Sequence, residues 1–266
     1  MELRQRALEV LCLRDPEAKA TAAMHMHRDA HDFHIAPAAP LLPAGTVLPG
    51  HPERPELRSH TEVGRRSPAT LPGRTTLMHA IAHIEFNAIN LALDAVWRFD
   101  DMPEAYYRDW LQVAGEEGKH FLLIRDWLRA QGSDYGEHPA HQGLWTMCEK
   151  TAGDITARMA LVPRTLEARG LDATPQIQRK LRNVGTPDAL AAVDILDIIL
   201  REEVGHVAIG NHWYRWLCER HGHEPLAHFT YLTAHYEAPR PKPPLNLTAR
   251  RAAGFTDTEL QWLTQC

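Results

Sequence analysis

Apolar residues recur at helical spacing along most of the chain, and no segment shows a convincing strand-like alternation. Two helices are predicted at 2–13 and 15–27, the second with Asp15 as its N-cap and Pro16 in its first turn. The pattern then predicts four long helices at 75–99, 103–131, 141–169 and 187–221, and shorter ones at 175–184, at 225–237 and from Thr256. This pattern indicates an all-α protein.

The segment between Pro37 and Pro72 differs from the rest because it contains eight prolines. Prolines at this density prevent helices and central strands, so we expect an extended arm laid over the helices. The predicted architecture is a four-helix bundle at 75–222, an N-terminal region at 1–74 that packs on it, and a C-terminal helical extension at 223–266, together forming one structural unit. The arm and its end are also basic, with Arg54, Arg58, Arg65, Arg66 and Arg74.

Composition and charge exclude several classes of protein. The 266-residue chain has a formal net charge of −5, which argues against a surface coated with basic residues for nucleic acid. No window approaches the roughly 18 apolar residues of a membrane span, and the charged N-terminus does not resemble a secretory signal, so a cytoplasmic protein is expected. The four cysteines form no Cys-x-x-Cys pair, which predicts reduced thiols rather than a zinc ribbon.

Three of the long predicted helices carry an acidic residue in the middle of their apolar stripe. Glu85 interrupts the stripe of 75–99, Glu117 and His120 interrupt that of 103–131, and Glu203 and His206 interrupt that of 187–221. An unpaired carboxylate inside a helical bundle is costly, so three such positions need a common explanation. A bound cation supplies one, because residues at i and i+3 share a helix face and can bind the same metal.

The longer motif Glu-Glu-x-x-His makes this signal specific. It occurs at 116–120 and at 202–206, and these two copies contain the only Glu-Glu dipeptides of the chain. One Glu from each of two helices, with Glu-x-x-His from each of the other two, is the ligand arrangement of ferritin-like di-iron and di-manganese proteins.

The remaining acid should come from the helix at 141–169. Glu167 is preferred, because its separation from Glu203 resembles that between Glu85 and Glu117. Asp154 and Glu149 remain alternatives, and Pro163 predicts a kink in this helix.

The other candidate residues have plainer interpretations. His79, His83 and His212 lie off the metal-facing stripes, and the histidines between Met24 and His34 are expected at an exposed helix end. Glu116 and Glu202 are expected to face solvent or to bond to groups behind the ligands. Core positions are expected for Trp97, Tyr106 and Trp110.

Five stretches of the sequence resemble a bacterial family catalogued as domain of unknown function 455, which belongs to the ferritin-like superfamily. They are His83–Ala88, Leu91–Ala95, Arg158–Asp172, Glu202–Trp213 and Asn246–Arg250. The resemblance extends from about Arg58 to near the end of the chain and implies a ferritin-like four-helix bundle. It also implies a metal site, whose ligand pattern falls on Glu85, Glu117, His120, Glu167, Glu203 and His206.

The resemblance brings no settled reaction. More distant relatives include a tRNA-modifying hydroxylase and the demethoxyubiquinone hydroxylase, both of which activate dioxygen at two irons. Four carboxylates and two imidazoles favour iron or manganese, so two irons are expected, with manganese or a mixed pair as alternatives.

The leading expected function is an O2-activating oxygenase or hydroxylase. Its organic substrate, a small molecule or a tRNA, is not identified by the sequence. An external electron donor is expected, because the chain has no flavin or nicotinamide motif. The alternatives are an oxidoreductase that removes peroxide or oxygen, a ferroxidase, and an interaction module that metal merely stabilises. A homodimer is left open.

Overall fold

The computed structural model describes residues 1–36, 38, 40, 42–59 and 67–265. Within these ranges the regular structure is helical, and extended pairing is limited to two isolated bridges, Glu2 with His34 and Leu57 with Ala140. The all-α prediction is therefore confirmed. No helix in the described ranges is both long and apolar enough to cross a membrane.

The helices are labelled in chain order. They are α1 (Leu3–Leu11), α2 (Pro16–Arg28), α3 (Leu71–Arg98), α4 (Glu104–Ala130), α5 (Gly143–Lys150), α6 (Ile155–Leu161), α7 (Ala168–Val184), α8 (Pro187–His221), α9 (Pro225–His235), α10 (Leu247–Ala252) and α11 (Asp257–Gln265). A 3₁₀ turn at Ala30–Asp32 follows α2, and a π-helical turn at Val162–Glu167 joins α6 to α7.

Capping side chains explain where the early helices begin. Asp15 accepts a hydrogen bond from the backbone N–H of Ala18 at 2.7 Å, as expected for an N-cap. Helix α3 begins four residues earlier than predicted, because the Thr70 hydroxyl accepts from the N–H of Gly73. Pro72 is tolerated there because the first turn of a helix needs no N–H donor at that position. The predicted extended arm is therefore wrong at its last two residues, 71 and 72.

The single helix predicted at 141–169 is also wrong. The chain leaves α5 after Lys150, and Asp154 restarts the helix by capping the N–H of Ala157 at 2.9 Å. The helix predicted to end at residue 169 also continues through Gly170. Gly170 keeps a negative φ inside α7, which continues to Val184 and includes the separate helix predicted at 175–184. A glycine in a helix interior costs only about 1 kcal/mol relative to alanine, so packing decides whether the helix stops.

One compact unit comprises Met1–Trp145 with Val184–Ile195. In it α3 packs against α4, α2 packs against α4, and α1 packs against α3. The described part of the proline-rich arm is bonded to these helices. The N–H of Gly50 donates to the carbonyl of Leu11, and the indole N–H of Trp97 donates to the carbonyl of Pro40, each at 2.9 Å. Pro37 and residues 60–66, which include Arg65 and Arg66, lie outside the described residues.

A second compact unit comprises Thr146–Asn183 with Leu196–Cys266. Helix α6 packs against α9 in this unit, and α10 contacts α11. The Asp172 carboxylate accepts from the Arg250 guanidinium at 2.7 Å, with both side chains buried, which fastens α10 to α7. The domain boundaries predicted at 74 and 222 stay predictions.

Candidate metal centre

Helices α3 and α4 bring three of the predicted ligands together in the first unit. Glu85, Glu117 and His120 are all buried, and one ligand atom from each lies within 4.8 Å of the others. His120 Nδ1 is 3.4 Å from Oε2 of Glu85 and 3.4 Å from Oε2 of Glu117. The packing of α3 on α4 therefore joins an acid from one helix to the Glu-x-x-His pair of the other.

The electrostatics of this group fit a bound cation. Burial, and next the neighbouring Glu117 carboxylate, raise the pKa of Glu85 to about 8, and the His120 imidazole opposes this shift. Glu85 Oε2 is buried and accepts no hydrogen bond within the described part of the chain. Two crowded acids and an imidazole lack positive charge, and a divalent cation supplies it. The residues present therefore fit a metal ion.

The second Glu-x-x-His pair lies on α8 within the second unit. Glu203 and His206 are both buried, and His206 Nδ1 is 3.8 Å from Glu203 Oε2. Their i, i+3 spacing places the carboxylate and the imidazole on one helix face, as predicted. This pair repeats the chemistry of Glu117 and His120.

Glu167 is buried at the end of the π-helical turn. Pro163 lacks an N–H and so cannot donate a helical hydrogen bond. In the same turn the Thr165 hydroxyl donates to the carbonyl of Ala160 at 2.8 Å. The π-helical turn at Val162–Glu167 lies where a kink was predicted at Pro163, and the kink itself stays a prediction. Among the described residues, Glu167, Glu203 and His206 do not form a set whose ligand atoms all lie within 4.8 Å. The role of Glu167 as a ligand stays a prediction.

The alternatives to Glu167 are less suited to bind a buried metal. Glu149 is exposed, and Asp154 is half-buried and caps α6. The acids next to the ligands also behave as expected. Glu116 is half-buried and accepts a hydrogen bond from Gln112 at 3.0 Å, and Glu202 is half-buried on α8.

Two contacts that the sequence did not reveal hold the turn that carries Glu167. Arg164 is buried and donates to the Asn211 amide oxygen at 2.7 Å and to the Glu259 carboxylate at 2.6 Å. A Cβ added to Gly210 would lie 2.6 Å from the Pro163 Cβ, so α8 approaches the turn closely at this glycine. The sequence shows an arginine next to Pro163, but its burial and its distant partners are visible only in the structure.

His79 and His83 are buried and bonded to the loop after α4. The N–H of Gly136 donates to His79 Nε2, and His83 Nδ1 is bonded to the Tyr135 hydroxyl, each at 2.8 Å. Burial lowers the pKa of His79 to about 4 and that of His83 to about 3. These histidines bind the loop after α4 and are neutral near pH 7. Of the histidines between Met24 and His34, three are exposed, namely His25, His31 and His34.

These features define an all-helical protein with buried Glu and His groups that could bind a metal ion. Residues 12–261 match the family described as "Protein of unknown function (DUF455)", so the chain belongs to this family. A protein from Haemophilus influenzae named "Uncharacterized protein" is 51% identical over 219 residues, which cover 80% of this chain and 75% of that protein. No solved structure matches the chain.

Proposed function

We propose that this chain is a ferritin-like dinuclear metal protein that uses two irons to activate dioxygen and oxidise an organic substrate. The observation that carries the proposal is the buried group of Glu85, Glu117 and His120, whose acids are crowded and short of positive charge. The repeated Glu-Glu-x-x-His motif on α8 supplies a second Glu–His pair, Glu203 and His206. With Glu167, the proposed set contains four carboxylates and two imidazoles.

Two irons bound by this set would supply the site for dioxygen and the electrons that reduce it. The four carboxylates would neutralise two divalent cations, and the two imidazoles would bind as neutral ligands. Burial of the carboxylates separates them from bulk water, which strengthens their attraction for a cation. An external donor would resupply those electrons to the irons, and the organic substrate is a small molecule or a tRNA.

Metal analysis followed by oxygen exposure tests this function. The protein is produced in cells supplied with iron and manganese, reduced without air, and then mixed with oxygen while its absorbance and oxygen uptake are followed. About two irons per chain and rapid oxygen uptake are expected. Metals that react with neither oxygen nor peroxide would overturn the oxygenase in favour of a structural role, and turnover of peroxide alone would favour detoxification.

Matched glutamate variants test the ligand set itself. We expect Glu117→Gln and Glu203→Gln each to lower the bound iron from about two to less than one per chain, because both ions depend on shared carboxylates. The neighbouring variants Glu116→Gln and Glu202→Gln should keep about two irons per chain. Loss of only one ion in each ligand variant would mean that the two Glu-x-x-His pairs bind separate metals. No iron in the folded wild-type protein would overturn the assignment.

A further inference from the structure

Glu167 lies in a turn whose backbone departs from a regular α-helix. The π-helical turn at Val162–Glu167 contains Pro163, and the helix resumes as α7 at Ala168. Such turns are rare inside helices and are frequent at functional sites. An irregular backbone keeps one conformation only where the surrounding structure holds it. The contacts of this turn therefore determine where the Glu167 carboxylate lies.

The first of these contacts joins the turn to the C-terminal helix α11. The buried guanidinium of Arg164 donates to the Glu259 carboxylate at 2.6 Å and to the Asn211 amide oxygen at 2.7 Å. The other carboxylate oxygen of Glu259 accepts from the Arg215 guanidinium at 2.9 Å, and both Asn211 and Arg215 belong to α8. Glu259 therefore connects the turn to the helix that carries the second Glu-x-x-His pair.

Aromatic rings surround the Arg164 guanidinium. Its central carbon lies 5.0 Å from the ring centroid of Tyr214, 4.8 Å from that of Phe229 and 4.9 Å from that of Phe255. A cation over the face of an aromatic ring is attracted to it, and three rings leave the guanidinium little room to turn. Because the arginine fork is planar and rigid, its two hydrogen bonds form together in one orientation.

A second buried pair holds the chain directly after Glu167. The guanidinium of Arg250 on α10 donates to the Asp172 carboxylate at 2.7 and 3.1 Å, and to the carbonyl of Ala168 at 3.2 Å. Ala168 is the residue that follows Glu167. The segment at 246–259, which we call the C-terminal clamp, therefore contacts the chain on both sides of Glu167.

Burial makes these two ion pairs an inefficient source of stability. The cost of taking charged groups out of water offsets much of their attraction, and apolar side chains of similar volume often stabilise a core equally well. A buried arginine pair adds direction, because its planar fork binds its partners in a fixed geometry. In both pairs that geometry is imposed on the backbone next to Glu167.

We propose that Arg164, Arg250 and Glu259 are positioning residues, through which the C-terminal clamp holds the Glu167 carboxylate in place to bind metal. This inference rests on the function proposed above, because it takes Glu167 as a ligand. None of the three residues would touch the metal, since each acts through the backbone that carries Glu167. Groups behind metal ligands change metal affinity by about 10–100-fold when they are removed. Loosening the clamp should therefore weaken the binding of one ion.

Titration of the metal-free protein with Fe²⁺ in the absence of oxygen tests this role. We expect the wild type to bind two ions and Glu259→Gln to bind one of them at least about tenfold more weakly. Arg164→Lys and Arg250→Lys keep the buried charge but lose the fork, so they should do the same at a smaller loss of stability. Leu181→Ala is the control, because it removes buried apolar volume from α7 outside the clamp. It should bind both ions as the wild type does.

A double variant separates positioning from a general loss of stability. Glu167→Gln alone should weaken the same ion. Adding Glu259→Gln to it should change the metal affinity no further, because the clamp acts through that one carboxylate. Losses that combine independently in the double variant would overturn the positioning role.

Hydrogen exchange in the metal-free protein follows the turn directly. We expect the backbone amides at 164–167 to exchange about tenfold faster in Glu259→Gln, measured relative to the amides of α8 in the same protein. Leu181→Ala should leave this ratio unchanged, because a global loss of stability affects both groups of amides alike. Glu167→Gln should also leave it unchanged, since the clamp contacts remain.

The outcomes distinguish a failure of this inference from a failure of the proposed function. Two ions in the wild type, with unchanged affinity in all three clamp variants, would overturn the clamp alone. Unchanged affinity in one variant would overturn the role of that residue. Faster exchange of the turn without a change in metal affinity would also overturn the positioning role. No metal in the folded wild-type protein would overturn the proposed function, and this inference with it.

Discussion

His120 Nδ1 on α4 lies 3.4 Å from Oε2 of Glu85 on α3, with both side chains buried. Because the two residues belong to different helices, this contact forms only when α3 and α4 pack. It places an imidazole beside an acid whose proton affinity is raised by burial and by Glu117. The same packing that forms the core therefore produces a group of side chains that attracts a cation.

The raised pKa of Glu85 predicts how the metal-free protein responds to pH. Its folded-state pKa of about 8 exceeds the ordinary value of 4.5, so the folded protein holds the proton more tightly than the unfolded chain does. This contribution to stability is complete below pH 4.5 and is lost as pH rises through 8. In chelator, we expect the fall in Tm between pH 6 and 8 to be smaller in Glu85→Gln than in the wild type. An equal fall in Tm between pH 6 and 8 for the two proteins would contradict this prediction.

The buried histidines predict the opposite dependence at low pH. The pKa values of His79 and His83 are lowered below the ordinary 6.5, so the folded protein binds fewer protons than the unfolded chain. Stability should fall as pH drops from 6.5 toward 4, with His79 contributing roughly 2–3 kcal/mol. His79→Gln, which keeps an acceptor for the Gly136 N–H, should reduce this loss in urea unfolding. The exposed His212→Gln should leave it unchanged.

The close approach of α8 to the π-helical turn predicts the effect of one methyl group. Gly210→Ala would place its Cβ against Pro163, and we expect the free energy of unfolding to fall by roughly 1–3 kcal/mol. Gly205→Ala, on the same helix with nothing within 4 Å, should be neutral or stabilise by up to about 1 kcal/mol. Urea unfolding of the metal-free proteins measures both. Equal changes in the unfolding free energy of the two variants would show that α8 does not approach Pro163 so closely.

The buried ion pair between Arg164 and Glu259 predicts a large loss of stability when one partner is neutralised. Glu259→Gln would leave the buried guanidinium without its charge partner, at a cost of about 3–5 kcal/mol. The control is Asp257→Asn, which removes an exposed pair with Arg251 and should cost less than about 1 kcal/mol. The urea midpoint measures the difference, and similar midpoints would show that this contact does not hold α11.

Helix boundaries show where local sequence was sufficient and where it was not. Asp15 and Pro16 predicted the start of α2 correctly, because a cap and its first turn are neighbours in the chain. The segment around Glu167 was predicted as one helix. Its break at Asp154 depends on a local cap that competes with helix continuation, and its continuation past Gly170 depends on packing. Periodicity alone does not resolve that competition.

The sequence by itself determined the all-α class and the positions of Glu85, Glu117, His120, Glu203 and His206 on buried helix faces. It could do so because helical spacing is a local property that each segment shows independently. Only the tertiary structure decided that Glu85 meets His120 and that Arg164 finds Glu259. Those contacts join residues that are distant along the chain or separated by a turn, so they exist only once the helices have packed.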